Sequence, residues 1–183
     1  MLFAARESIL NYYFSIICVS SWLIFVVFYS PLIWDAFINA CYLMLDGYGL
    51  YYWLYSKNSQ KDEVTKVAKT RNLYKLEYFI YSIIGFLLIY IMTFIGIKFG
   101  KYSGNLQALT DATSTILAIL AKYLTAKKVL QSWILWILVA LISIPLYISI
   151  NSYVLAMAWF LYLLNAIYGF YKWRSRMQIA NLK

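Results

Sequence analysis

Histidine is absent from this chain, and with it go the commonest general base and metal ligand among side chains. Cysteine occurs only at Cys18 and Cys41, without metal-ligand spacing, so both read as small packing residues. Charge is scarce: 13% of 183 residues, against 64% that are hydrophobic, is too little polar surface to cover a soluble domain of this size. No glycine-rich phosphate loop is present, so no intrinsic coupling to ATP is visible. Asp62 and Glu63 are the only adjacent acids, and they sit in a lysine-rich stretch rather than in the acidic cluster a membrane lipid enzyme needs. No catalytic role, cofactor or metal site is expected. No cleavable signal peptide is expected, since the first apolar run is too long for an h-region and lacks a small-residue cleavage site.

Apolar length is what the chain has instead. Six segments, roughly 10–30, 32–55, 76–97, 106–124, 132–149 and 153–173, approach the ~20 residues a helix needs to cross a bilayer. The expected fold class is therefore an all-α integral membrane protein, with the lipid bilayer as its main partner. The net charge of +9 does not signal nucleic acid. With Arg6 placed in the cytoplasm, these spans put all but Lys98 and Lys101 of the Lys/Arg on one face, Lys122, Lys127 and Lys128 included. The positive-inside rule then puts the C-terminus in the cytoplasm. The polar 56–75 loop reads as a topology anchor and headgroup contact.

The end of the chain repeats its beginning. Tyr42–Trp53 reads YLMLDGYGLYYW, and Tyr162–Trp173 reads YLLNAIYGFYKW, with six of twelve positions identical. Four crossings separate the two, so they run in the same direction and the repeat is parallel. At the same offset Leu10-Asn11 falls on Leu130-Gln131, and Tyr13 falls on Trp133. Spans one and two thus correspond to spans five and six, which leaves span four without a counterpart. The natural unit is three helices, a linking helix and three helices. The expected organisation is a first bundle over 1–55 with two visible spans, a loop and linking helix over 56–105, and a second three-helix bundle with a tail over 106–183. A first helix is expected to be missing, either lost or upstream of Met1.

The second span carries Asp35, Asn39, Tyr42, Asp46, Gly49 and Trp53 at spacings of three and four, which share one helix face. Polar groups face lipid at high cost, so this face is expected to look into the bundle or a wet cavity. Asn39 and Asp46 lie roughly 10 and 20 Å below the outer end at 1.5 Å per residue, bracketing the midplane. No cation is expected at the depth of Asp46. It is therefore read either as a counter-ion for a cationic substrate or as a hydrogen-bonded tie between helices. Asp35, near the outer end, reads as a helix cap or interhelical contact. The last span presents Trp159, Tyr162, Asn165, Gly169 and Trp173. Asn165, roughly 18 Å deep, could hydrogen-bond a heterocycle edge or a neighbouring helix. Gly49 and Gly169 suit close helix approach. Trp53 and Trp173, beside Lys57, Lys172 and Arg174, read as interfacial anchors, as do Trp133 and Trp136 when taken alone. Asp111 and the Thr113-Ser114-Thr115 run favour a structural role.

In order and spacing these residues resemble the Pnu-type vitamin transporters, whose members carry nicotinamide riboside, thiamine or riboflavin. The match rests on Phe28-Tyr29, Asp35, Asn39 and Tyr48-Gly49-x-Tyr51-x-Trp53 in the first repeat. In the second it rests on Asp111-Ala112, Ala126-Lys127-Lys128, Trp133-x-x-Trp136, Ile144-Pro145-Leu146-Tyr147 and Tyr168-Gly169. The resemblance implies two bundles rocking around a midplane site, facilitated diffusion across a bacterial inner membrane, and trapping of the substrate by a separate cytosolic kinase. It also implies a possible homotrimer and a pocket role for Trp133 and Trp136. The expected substrate-binding set is Asn39, Tyr42, Asp46, Trp133, Trp136, Trp159, Tyr162 and Asn165, with Tyr147, after Pro145, as a gate. The nicotinamide riboside members carry Asn or Asp where this chain has Ala140, and many relatives have Asn where it has Asp46. These departures favour thiamine, with nicotinamide riboside second and riboflavin third. A substrate-binding subunit of an ATP-driven importer is the alternative class.

Overall fold

Inside a membrane every backbone N–H and C=O must be satisfied within its own segment, so long apolar runs with only two prolines become helices. A computed structural model describes residues 2–6, 8–29, 33–55, 70–99, 104–149 and 151–181. The helices are α1 (Leu2–Ala5), α2 (Leu10–Tyr29), α3 (Ile33–Tyr55), α4 (Lys75–Phe99), α5 (Asn105–Ala126), α6 (Ser132–Ser149) and α7 (Tyr153–Asn181). The six long helices match the six expected spans. The last runs eight residues further than expected, because nothing between Lys172 and Asn181 breaks a helix. Most of the 56–75 loop, with Asp62 and Glu63, and the side chain of Asp35 lie outside the described residues.

The helix ends follow from local chemistry. Ser8 Oγ accepts from the Leu10 N–H at 3.3 Å and so caps α2. Glu77 Oε2 accepts from the Tyr74 N–H at 3.0 Å at the start of α4. Helices α5 and α6 both end in a Schellman arrangement. After α5, Val129 N–H donates to Leu124 O (2.9 Å) and Lys128 N–H to Thr125 O (3.1 Å). After α6, Ser152 N–H donates to Tyr147 O (2.8 Å) and Asn151 N–H to Ile148 O (3.0 Å). The left-handed residue is Lys128 (φ 57°) in the first case and Asn151 (φ 58°) in the second. Asparagine tolerates that conformation. A lysine there is strained and needs another reason to stay.

Packing follows the repeat. Helix α3 packs on α2 and α5, α6 on α5 and α7, and α1 on α7 and α2, while α4 packs on α5 alone among the described helices. No described residue of α4 is buried, so this linking helix lies at the periphery of the described helices. Its start is clamped to the α5–α6 turn. Arg71 N–H donates to Lys128 O (3.0 Å), Leu130 N–H donates to Arg71 O (2.9 Å), and the Arg71 guanidinium grips both oxygens of Glu77 at 2.7 Å.

Three helices, Lys75–Phe99, Ser132–Ser149 and the Tyr153–Ile179 stretch of α7, are long and apolar enough to cross a membrane by length and composition. The other three long helices are α2, whose Leu10–Phe25 stretch is a shorter apolar run, and α3 and α5, which carry more polar and tyrosine residues.

Candidate functional site

A cavity of about 600 Å³ lies between α2, α3, α5, α6 and α7, within the size range of small-molecule sites. Six of the eight expected binding residues line it: Tyr42, Asp46, Trp133, Trp136, Trp159 and Tyr162, with the expected gate Tyr147. The two repeat-related tyrosines, Tyr42 and Tyr162, therefore share one chamber. Asn39 and Asn165 do not line it. Both amide atoms of Asn165 are buried without a hydrogen-bond partner among the described residues. The helix face through Trp159 and Tyr162 reaches the cavity, but Asn165 lies one step round from it.

The surroundings of Asp46 correct the expectation that no cation reaches its depth. Lys122 Nζ donates to Asp46 Oδ2 at 2.9 Å, and Ser15 Oγ donates to the same oxygen at 2.7 Å. The ammonium also lies 4.8 Å from the centre of the Tyr42 ring. Lys122 thus leaves the basic face to which its position near the end of α5 assigned it. The reason is directional. Cα–Cβ bonds tilt toward a helix's N-terminus, and α5 ends at the same end of the bundle as α3, so the stem of Lys122 leans back toward the middle. Asp46 is not an uncompensated counter-ion.

The sequence reading also missed the rest of the α5 wall. Asp111, Thr115, Ala118, Lys122 and Thr125 recur at spacings of three and four and all line the cavity. That stripe was legible by the criterion that found the one on α3. It was read as packing because Thr and Ser dominate it.

Tryptophans close the end where α3, α5 and α7 finish, and here the repeat becomes geometry. Tyr12 lies edge-on to Trp53, centroids 5.1 Å apart at 84°, and Trp133 lies edge-on to Trp173, 5.2 Å apart at 89°. A Cβ on Gly49 would meet the Tyr12 ring at 2.4 Å, and one on Gly169 would meet the Trp133 indole at 2.6 Å. The partner of Trp133 is therefore Tyr12, one residue before the Tyr13 that the repeat offset indicates. The extra residue of the first hairpin falls within α2, because the connections from α2 to α3 and from α6 to α7 are equally long.

The tryptophan N–H groups cross over between repeats. Trp53 Nε1 donates to Thr125 O (3.3 Å) and Ala126 O (3.1 Å), at the end of α5. Trp173 Nε1 donates to Ala4 O (3.1 Å), at the end of α1. The one-turn helix α1 thus stands to the second repeat as the last turn of α5 stands to the first, a counterpart to the end of span four alone. The Lys128 ammonium lies 4.5 Å from the Trp53 ring and 4.7 Å from the Trp173 ring, and the residue has no exposure. This pair of cation–π contacts offsets its strained φ. Trp53 and Trp173 are fully buried, so they are bundle closures and not the interfacial anchors expected. Trp136 Nε1 donates to Thr125 Oγ1 at 3.2 Å, fixing the second member of the Trp pair to the same floor.

Gly169→Ala would force a methyl into an indole that is itself wedged against Trp173. It is expected to destabilise by about 1–3 kcal/mol, as overpacking does. Gly47→Ala, with open space around the position, is expected to be neutral or mildly stabilising. Thermal unfolding of both variants in detergent checks this, and equal midpoints would refute the close approach.

The cavity offers flat aromatic faces, several hydroxyls and one compensated ion pair. No group of acids and cysteines that could hold a metal occurs among the described residues. This chemistry suits a flat polar organic molecule held by stacking and hydrogen bonds.

A family model described as "Nicotinamide mononucleotide transporter" matches residues 1–175. The chain is 21% identical over 185 residues to the nicotinamide riboside transporter PnuC of Haemophilus influenzae, covering 99% of this chain and 76% of that protein. The fold is similar to a crystal structure titled as the vitamin B3 transporter PnuC, with a TM-score of 0.71 and 20% identity, over 96% of this chain and 76% of that one.

Proposed function

From the premise that the chain belongs to the nicotinamide mononucleotide transporter family, we propose that it carries nicotinamide riboside across the membrane through the cavity between its repeats. The observation that carries this reading is the shared chamber of Tyr42, Tyr162, Trp133 and Trp136, which has stacking faces on several walls and room for a pyridinium riboside. Thiamine gives way as the first choice. The similarity to nicotinamide riboside transporters favours the riboside. The two residues that argued against it carry less weight in their surroundings. Ala140 is buried and does not line the cavity, so its departure from the family pattern is not felt by a ligand there. Asp46 is paired with Lys122 in the empty cavity, and because the thiazolium and the pyridinium are both cations it gives no preference for thiamine over the riboside.

Transport proceeds without chemical change to the substrate and by facilitated diffusion, the two bundles rocking about the tryptophan closure. The basic face and the C-terminus lie in the cytoplasm of a bacterial cell, by the positive-inside rule. A separate cytosolic kinase traps the riboside after entry. The carrier works alone or as a homotrimer, and each copy has its own cavity.

Purified protein in ATP-free liposomes is expected to take up labelled nicotinamide riboside until inside and outside concentrations match. Excess unlabelled riboside should compete far better than thiamine. Uptake only in the presence of ATP and further subunits would instead support an importer subunit, and better competition by thiamine would restore the first substrate order.

A further inference from the structure

A carboxylate beside an aromatic face is the receptor that a cationic organic ring requires. This cavity contains one in Asp46 and Tyr42, and it is already occupied. The Lys122 ammonium lies 2.9 Å from the carboxylate and 4.8 Å from the ring centre. The Asp46 side chain is 2% exposed and that of Lys122 16%, so the lysine covers the acid from the cavity side. Lysine is suited to yield this place. Its charge is compact, its stem has four flexible carbons, and its three donors accept new partners readily. Ser15 Oγ already accepts a second, longer hydrogen bond from it at 3.4 Å.

We propose that Lys122 is a tethered competitor: it holds the Asp46–Tyr42 receptor in the empty carrier and is displaced by the cationic ring of the substrate. The proposal rests on the reading above that a pyridinium riboside enters this cavity. It explains a need that any carrier with a buried acid has. A carrier that binds a cation at Asp46 must return empty, and an uncompensated buried carboxylate opposes that step. Lys122 supplies the compensation only while the ligand is absent. It also keeps binding weak enough for release, because each ligand that arrives must break an existing ion pair.

The discriminating probe is a pair of ligands of nearly one shape: nicotinamide riboside, whose ring is a cation, and its reduced dihydropyridine form, which is neutral. Calorimetric binding is measured on wild type and Lys122→Met. Removing the competitor is expected to tighten binding of the cation by about tenfold or more, because the receptor is then always vacant. The neutral form should shift by less than about twofold, having no use for the vacated charge. Equal shifts for the two ligands, or weaker binding of the cation, would overturn the proposal while leaving the transport reading in place. Binding of neither ligand to wild type would overturn both.

Lys122→Met leaves Asp46 without its cation and risks poor folding, so a second measurement uses wild type. Amine-selective labelling of Lys122, read by mass spectrometry, should be faster with the cationic ligand bound than with the neutral one. Both ligands cover the cavity, but only the first frees the lysine. Identical or slower labelling with the cation contradicts displacement.

Discussion

Trp173→Ala is expected to lose about 3–5 kcal/mol of stability, the cost of truncating a fully buried tryptophan. Four contacts disappear with the indole: the N–H donated to Ala4 O, the edge-on stack against Trp133, one of the two faces around the Lys128 ammonium, and the tilted ring contact with Trp53. The third loss is the gravest, because Lys128 is fully buried and its backbone is held at a φ of 57°. Trp173→Phe keeps a ring for Lys128 and loses the N–H, so it should cost less, about 1–2 kcal/mol, near the value of one buried hydrogen bond. Trp22→Ala, at a position 52% exposed on α2, is the control and should fall within about 0.5 kcal/mol of wild type. Thermal unfolding of detergent-purified protein separates the three. If Trp173→Ala unfolds like Trp22→Ala, then Trp173 is the interfacial anchor its neighbours Lys172 and Arg174 suggest, and the crossed closure is wrong.

Asp46→Ala should be nearly as damaging, for a different reason. It strands the Lys122 ammonium in a half-enclosed cavity and removes the acceptor of Ser15 Oγ. Deleting one partner of a buried pair typically costs about 3–5 kcal/mol. The lower end is expected here, since Lys122 keeps some contact with the cavity. The diagnostic result comes from combination. Asp46→Ala with Lys122→Met removes both charges and should recover a large part of the loss, because an apolar pair of similar volume often replaces a buried ion pair without penalty. Strictly additive losses in the double-mutant cycle would mean that the two residues do not interact. Uptake should stay impaired in the double variant even where stability returns, which separates folding from function.

The fold was largely legible in the sequence. Apolar length gave the six long helices, and the repeat gave their pairing, because both depend on which residues recur and not on how side chains are aimed. The site was legible where a stripe combined unlike polar residues at helical spacing, as in Tyr42 and Asp46. It was missed where direction mattered. Lys122 sits four residues from the end of its helix, and position alone assigns such a lysine to the membrane surface. Only the tilt of its stem along α5 brings it to Asp46. Trp53 and Trp173 were misread for a related reason. A tryptophan near the end of a spanning helix beside basic residues is usually interfacial, and only the approach of the two repeats shows these two to be enclosed. Asn165 lies outside the cavity for a different reason: it shares a stripe with Tyr162, but the cavity takes only part of that helix face.

The crossed tryptophan contacts have a consequence for ancestry. Trp53 of the first half secures the end of α5 in the second, and Trp173 of the second half secures the end of α1 in the first. Neither half closes its own end. A lone half of this design would leave an indole N–H and a helix terminus both waiting for partners, and two identical halves would satisfy each other reciprocally. A self-pairing homodimer is therefore the arrangement from which fusion could yield this chain with no contact reinvented. Lys128, at nearly equal distance from both indoles, occupies a place that two identical subunits would have to share, so it marks where the fused protein was free to become asymmetric.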